Sequence, residues 1–172
     1  MKLIARALVP SLLLAALAGS AQAAPLQAID GTASGKVQKV GFRAMILKQA
    51  IQDNLAGSAK NTDAGTVLFS LQGKESRLQS ALKRIEQGTA KSADVKIATT
   101  DGKPVPGLRS FTVVGWTSTS RGISKPYNLV FTLRDDDKKV SKKEAKREFC
   151  HILQTTLDPQ DWQKAEAGCQ GK

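Results

Sequence analysis

The order of periodic segments beyond the first 26 residues, strand, helix, strand, strand, helix, strand, predicts an α+β fold. It is that of a ferredoxin-like βαββαβ sandwich, an antiparallel sheet with two helices on one face. Three observations carry this expectation. Val67, Phe69 and Leu71 alternate with Thr66, Leu68 and Ser70, as in a strand with one face buried. Leu78, Ala81, Leu82 and Ile85 make an i, i+3, i+4, i+7 stripe that closes at Gly88, a residue suited to a helix C-terminal cap. Phe42, Ile46, Leu47, Ala50 and Leu55 also recur at helical spacing, with Gly57 beyond them as a stop signal.

The remaining elements follow in chain order. Residues 27–34 are strand-like and run into a loop, 35–41, punctuated by Gly35 and Gly41. A short strand is expected over 57–61, then a turn over 62–65 before the alternating strand. Gly73 ends that strand, and after the second helix Val95 and Ile97 alternate with Asp94 and Lys96 in a fourth strand. Residues 99–108 are rich in Gly and Pro and read as a loop. Two further strands, 111–116 and 129–133, are joined by the polar stretch 117–125 and add a hairpin to the sheet. Ser141 and Glu144 have the spacing of a capping box, in which hydroxyl and carboxylate satisfy the exposed amides of a helix start. Ala145, Phe149, Ile152, Leu153 and Leu157 supply that helix's apolar stripe, and Asp158-Pro159 closes it and opens a shorter helix carrying Trp162.

The N-terminus reads as an export signal. Lys2 and Arg6 precede an apolar run over 8–18, and Ala21-Gln22-Ala23 is a small-x-small cleavage site. The run is too short to span a bilayer and contains Pro10, so an integral membrane association is not expected. The organisation is therefore a signal peptide over 1–23, a core over 24–98, a loop and additional strands completing the sheet over 99–134, and a basic helical extension over 135–172. The expected location is periplasmic or secreted.

Lys and Arg number 26 against 15 Asp and Glu, a net charge of +11, and loss of Lys2 and Arg6 with the signal leaves +9. That field favours phosphate-bearing or acidic partners. His151 is the only histidine, which removes most zinc sites and Ser-His-Asp arrangements. Adjacent helical residues point about 100° apart, so Cys150 and His151 do not make a nucleophile and base. Cys150 and Cys169 are the only cysteines, and in an exported chain they are expected to form one disulfide. Its loop closure is worth roughly 3 kcal/mol in the chain-entropy model.

The stretch Gly35, Lys36, Val37, Gln38, Lys39, Val40, Gly41, Phe42, Arg43 resembles the signature of the acylphosphatase family. So do Asn54 to Asn61, the turn and strand at Gly65-Thr66-Val67, and the Gln87-Gly88 end of the second helix. The resemblance runs over about 27–97 and implies hydrolysis of acyl phosphates to carboxylate and phosphate, with no cofactor and no metal. It implies that Gln38, Lys39, Val40, Gly41, Phe42 and Arg43 form a phosphate-binding loop. Within it Arg43 holds the phosphate, while Asn61 positions the attacking water. The chemistry is reasonable, because backbone N–H groups at a helix N-terminus hold a phosphate and an Arg adds a planar bidentate fork. The loop departs from the family pattern at Lys39, where Gly is usual; if that position needs φ > 0, the side chain is costly there. Ala64 stands where an Asp commonly precedes the turn Gly.

The alternative is a non-catalytic exported module that uses the same fold to bind an anion or a protein. Lys138, Lys139, Lys142, Lys143, Lys146 and Arg147 cluster at the start of the extension, where they read as a solvated helix face or as a surface for an anionic partner. The scarcity of aromatic residues argues against nucleic acid. A monomer is expected.

Overall fold

The computed structural model describes residues 23–170, so the export signal, apart from Ala23, lies outside the described residues. Eleven elements follow in order: β1 (Gln27–Lys36), α1 (Phe42–Asp53), β2 (Ala56–Asn61), β3 (Val67–Gly73), α2 (Glu75–Gln87), β4 (Ala93–Gly102), β5 (Ser110–Ser118), a 3-10 turn (Thr119–Arg121), β6 (Ile123–Thr132), α3 (Lys142–Thr156) and α4 (Pro159–Glu166). They make one six-stranded sheet in the order β4-β1-β3-β2-β5-β6. The βαββαβ core is antiparallel as expected, but β5 joins β2 in parallel, with Gly57 opposite Phe111 and Lys60 opposite Val114. The sheet is therefore mixed. A chain leaving β4 at one edge must cross to the other edge to extend the sheet there, which sets the direction of β5.

Several local expectations are corrected. α1 ends at Asn54 in the left-handed conformation (φ 54°), not at Gly57, and Leu55 lies past the cap, fully buried. Asparagine tolerates this conformation because its short amide bonds locally. Here Asn54 Oδ1 accepts the Arg134 amide at 2.8 Å, tying the helix end to the end of β6. Gly57 serves β2 instead: its φ is 139°, and a Cβ there would run into the Ser70 carbonyl. β4 extends through Gly102, because pairing with β1 continues to Ala28 opposite Gly102. Much of the polar stretch 117–125 is strand, and only Thr119–Arg121 with Gly122 after it turns.

α1 is the central helix, lying against β2, β5, α2 and α3. That position explains why Met45, Gln49, Ile51 and Asp53 are buried besides the stripe read from the sequence. α2 has a single buried stripe, Leu78, Ala81 and Ile85. α3 starts with the expected capping box, in which the Glu144 amide donates to Ser141 Oγ and the Ser141 amide to Glu144 Oε2. It buries Ala145, Phe149, Ile152 and Leu153 against α1 and β6, so the extension completes the core. The Cys150–Cys169 disulfide is present, with Cα atoms 5.7 Å apart, and ties α3 to the segment after α4.

α4 is further held through Tyr127, whose hydroxyl lies 2.9 Å from Asp158 Oδ2 and 2.8 Å from Asp161 Oδ2. The Asp161 amide, then Tyr127 and Lys125, hold the Asp158 carboxyl down to about 2. A depressed folded-state value means that this contribution to stability is complete above the ordinary carboxylate range and is lost as pH falls through about 2. Thermal melts from pH 5 to pH 2 are expected to show a declining melting temperature, with a shallower decline in Asp158→Asn. An equal slope in the variant would contradict this account.

Candidate active site

The loop between β1 and α1 is shaped by two left-handed residues, Lys39 (φ 59°) and Gly41 (φ 74°), the second being the N-cap of α1. Gly41 has no side chain to cap the helix start. Among the described residues, the amides from Gln38 to Ala44 donate no hydrogen bond to another protein group. A helix N-terminus with unpaired donors and a partial positive charge suits an anion. Two braces fix the loop. Gln38 Nε2 donates to the Thr62 and Thr66 carbonyls at 2.8 and 2.9 Å, tying it to the β2–β3 turn. Thr89 Oγ1, just beyond α2, donates to the Val40 carbonyl at 2.8 Å.

Arg43, in the first turn of α1, is held by β5. Its Nη1 donates to the Val114 and Gly115 carbonyls at 2.8 and 2.9 Å. Both acceptors belong to an irregularity in β5, where pairing with β6 shifts between Val113 and Trp116 and Gly115 turns left-handed (φ 64°). With Nη1 occupied, the Nε and Nη2 hydrogens remain, the edge of the guanidinium that grips an oxyanion bidentately. Burial lowers the Arg43 pKa, and no carboxylate offsets that penalty. A bound anion would reverse it.

Asn61 is the last residue of β2, and the parallel pairing of β2 with β5 carries it to the same cavity. That cavity, about 410 Å³, is lined by all six loop residues from Gln38 to Arg43 and by Asn61. It also takes in Trp116, the 3-10 turn with Arg121, Lys48 from α1, and Thr89 to Lys91. Every site residue expected from the sequence thus opens on one space, except the two cysteines, whose role is structural. Lys39 does sit at positive φ, the conformation that favours glycine. Its side chain gives up about 1 kcal/mol of backbone energy and places a cation at the cavity mouth. Lys39→Gly is expected to raise stability by up to about 1 kcal/mol in urea unfolding while weakening inorganic phosphate binding a few-fold. A less stable variant would show that the side chain makes a compensating contact.

The fold and cavity define a class, a ferredoxin-like sandwich with a glycine-capped loop opening on a cavity at the start of its first helix. The acylphosphatase family model matches residues 29–113. The acylphosphatase of Bacillus subtilis strain 168 is 35% identical over 80 residues, which is 46% of this chain and 88% of that protein. That of Geobacillus kaustophilus is 49% identical over 55 residues, 32% of this chain and 58% of the relative. The crystal structure of the Bacillus subtilis acylphosphatase aligns over 52% of this chain and 99% of its own, at 34% identity and a TM-score of 0.49. This chain belongs to the acylphosphatase family.

The sequence reading missed part of the cavity. Thr89 and Lys48 sit on or beside the helices without any local motif, and the anchor of Arg43 on Val114 and Gly115 runs through carbonyls outside the cavity lining, which no side-chain pattern reveals. Gly115 inside an otherwise regular strand was the one available signal, since an isolated strand glycine often marks a bulge.

Proposed function

We propose that this protein is an exported enzyme that hydrolyses acyl phosphates to a carboxylate and inorganic phosphate without a metal ion. The observation that carries the reading is the convergence of the unpaired loop amides, the Arg43 fork and the Asn61 amide on one cavity. The amides and Arg43 hold the three equatorial oxygens of the phosphoryl group and meet the charge that spreads over them in transfer. Asn61, whose amide bonds no protein group among the described residues, orients a water in line with the scissile bond. Water oxygen bonds to phosphorus as the bond from phosphorus to the acyl oxygen breaks. The carboxylate leaves with the bonding pair, and the water's proton passes to solvent. A carboxylate is a good leaving group, so no general acid is required.

The decisive experiment takes the chain from the exported fraction, where N-terminal sequencing is expected to begin at Ala24, and follows benzoyl phosphate hydrolysis with chelator present. Turnover is expected in the parent. Asn61→Ala should lower kcat by about 10²-fold with little change in inhibition by inorganic phosphate, because it removes water positioning and leaves the cradle intact. A folded parent that binds phosphate but does not turn over would favour the non-catalytic module.

A further inference from the structure

A second cavity of about 360 Å³ lies among α1, α2 and α3, and it adjoins the first: Lys48, Thr89 and Ala90 line both. Its walls carry Lys48 from α1, Arg84 from α2, and Lys142 and Lys146 from α3, with no Asp or Glu. None of these four takes part in an ion pair among the described residues, whereas Lys138, Lys139 and Arg147 of the same basic segment each find a carboxylate. Lys48 is half-buried and held with its ammonium 5.4 Å from the centre of the Phe149 ring. Burial, followed by repulsion from Lys146, Arg121 and Arg84, lowers its pKa. Like charges gathered in a partly desolvated cavity destabilise the fold unless an anion joins them.

Building on the acyl phosphate reading, we propose that this cavity is a second anion subsite, and that the preferred substrates are acyl phosphates whose acyl group ends in a second anionic group, a carboxylate or a phosphate. Arg43 lines the first cavity and Lys48 lines both, so the two spaces are continuous and one molecule with an anionic group at each end can occupy them together. Lys142 and Lys146 lie outside the segment that matches the family model, so the extension supplies half of the cations. The subsite is therefore a specificity device of this chain rather than of the shared domain.

The test uses binding and turnover side by side. Titration of the full mature chain with 4-phosphonobutyrate, a stable mimic with both charges, is expected to give a Kd about tenfold below that of butylphosphonate. Succinyl phosphate should exceed butyryl phosphate in kcat/KM by a similar ratio, and a phosphate-terminated acyl phosphate compared with succinyl phosphate tells which anion the subsite prefers. Lys146→Gln should bring both ratios close to one. Lys143→Gln, an equal change of net charge on the same helix away from either cavity, should leave them in place. A ratio of one in the parent, or an equal loss in both variants, overturns the subsite. Discrimination in binding without any hydrolysis would instead keep the subsite and refute the activity, and hydrolysis without discrimination would do the reverse.

Discussion

Arg43→Ala is expected to lower kcat/KM for acyl phosphate hydrolysis by about 10²–10³-fold, the scale on which loss of a single preorganised donor to a transition-state oxyanion is felt. Arg43→Lys should be nearly as damaging. The guanidinium uses Nη1 to span the Val114 and Gly115 carbonyls, which among the described residues leaves Nε and Nη2 without a protein partner on a residue that lines the cavity. A lysine ammonium carries positive charge but no planar fork, so it must give up one set of partners to serve the other. Steady-state kinetics on both variants, with circular dichroism to confirm folding, checks this. Activity within a few-fold of the parent in Arg43→Lys would mean that charge alone suffices and that the β5 anchorage has no part in the reaction.

The second large effect is on stability. Leu153 is almost fully buried where α3 meets the rest of the core, and Leu153→Ala is expected to destabilise the whole protein by about 2–5 kcal/mol. For a chain of this size that lowers the melting temperature by roughly 5–15 °C. The transition should remain single, because α3 covers α1, and α1 carries Arg43 and Lys48. Two separated transitions, or an early loss of α3 that leaves benzoyl phosphate hydrolysis untouched, would show that the extension is an appendage. The buried Asp53 points the same way, since its carboxylate on α1 is met by Lys139 of the extension at 2.9 Å.

How much was legible in the chain can be judged from particular elements. The stripe of α2 was readable because that helix has one buried face, and hydrophobic periodicity reports one face well. α1 was readable as a helix but not as a central one. Met45 and Ile51 fall off the simple stripe because a second layer covers them, and α3, which provides it, lies some 90 residues further on. The capping box of α3 and the Asp158-Pro159 break were local chemistry, fixed within four residues, and both were found where expected. β4 runs further and the hairpin turn is shorter than the pattern predicts, because Thr and polar residues are held in these strands by pairing with β1 and β5, not by their own pattern.

The site divides in the same way. Resemblance to the acylphosphatase signature supplied Arg43 and Asn61, whereas from the residues themselves came the α+β order of elements, the loop with its glycine at the helix start, and the two cysteines available for one bridge. These are local properties, set by periodicity, turn chemistry and side-chain type. Only the tertiary structure decided that Arg43 is anchored on β5 carbonyls, that parallel pairing of β2 with β5 brings Asn61 to the same cavity, and that the basic extension divides its charges between ion pairs and a second cavity. Each of these joins residues separated by tens of positions, and contacts at that separation depend on how the sheet is ordered and which helix covers which, information that no short window of sequence contains.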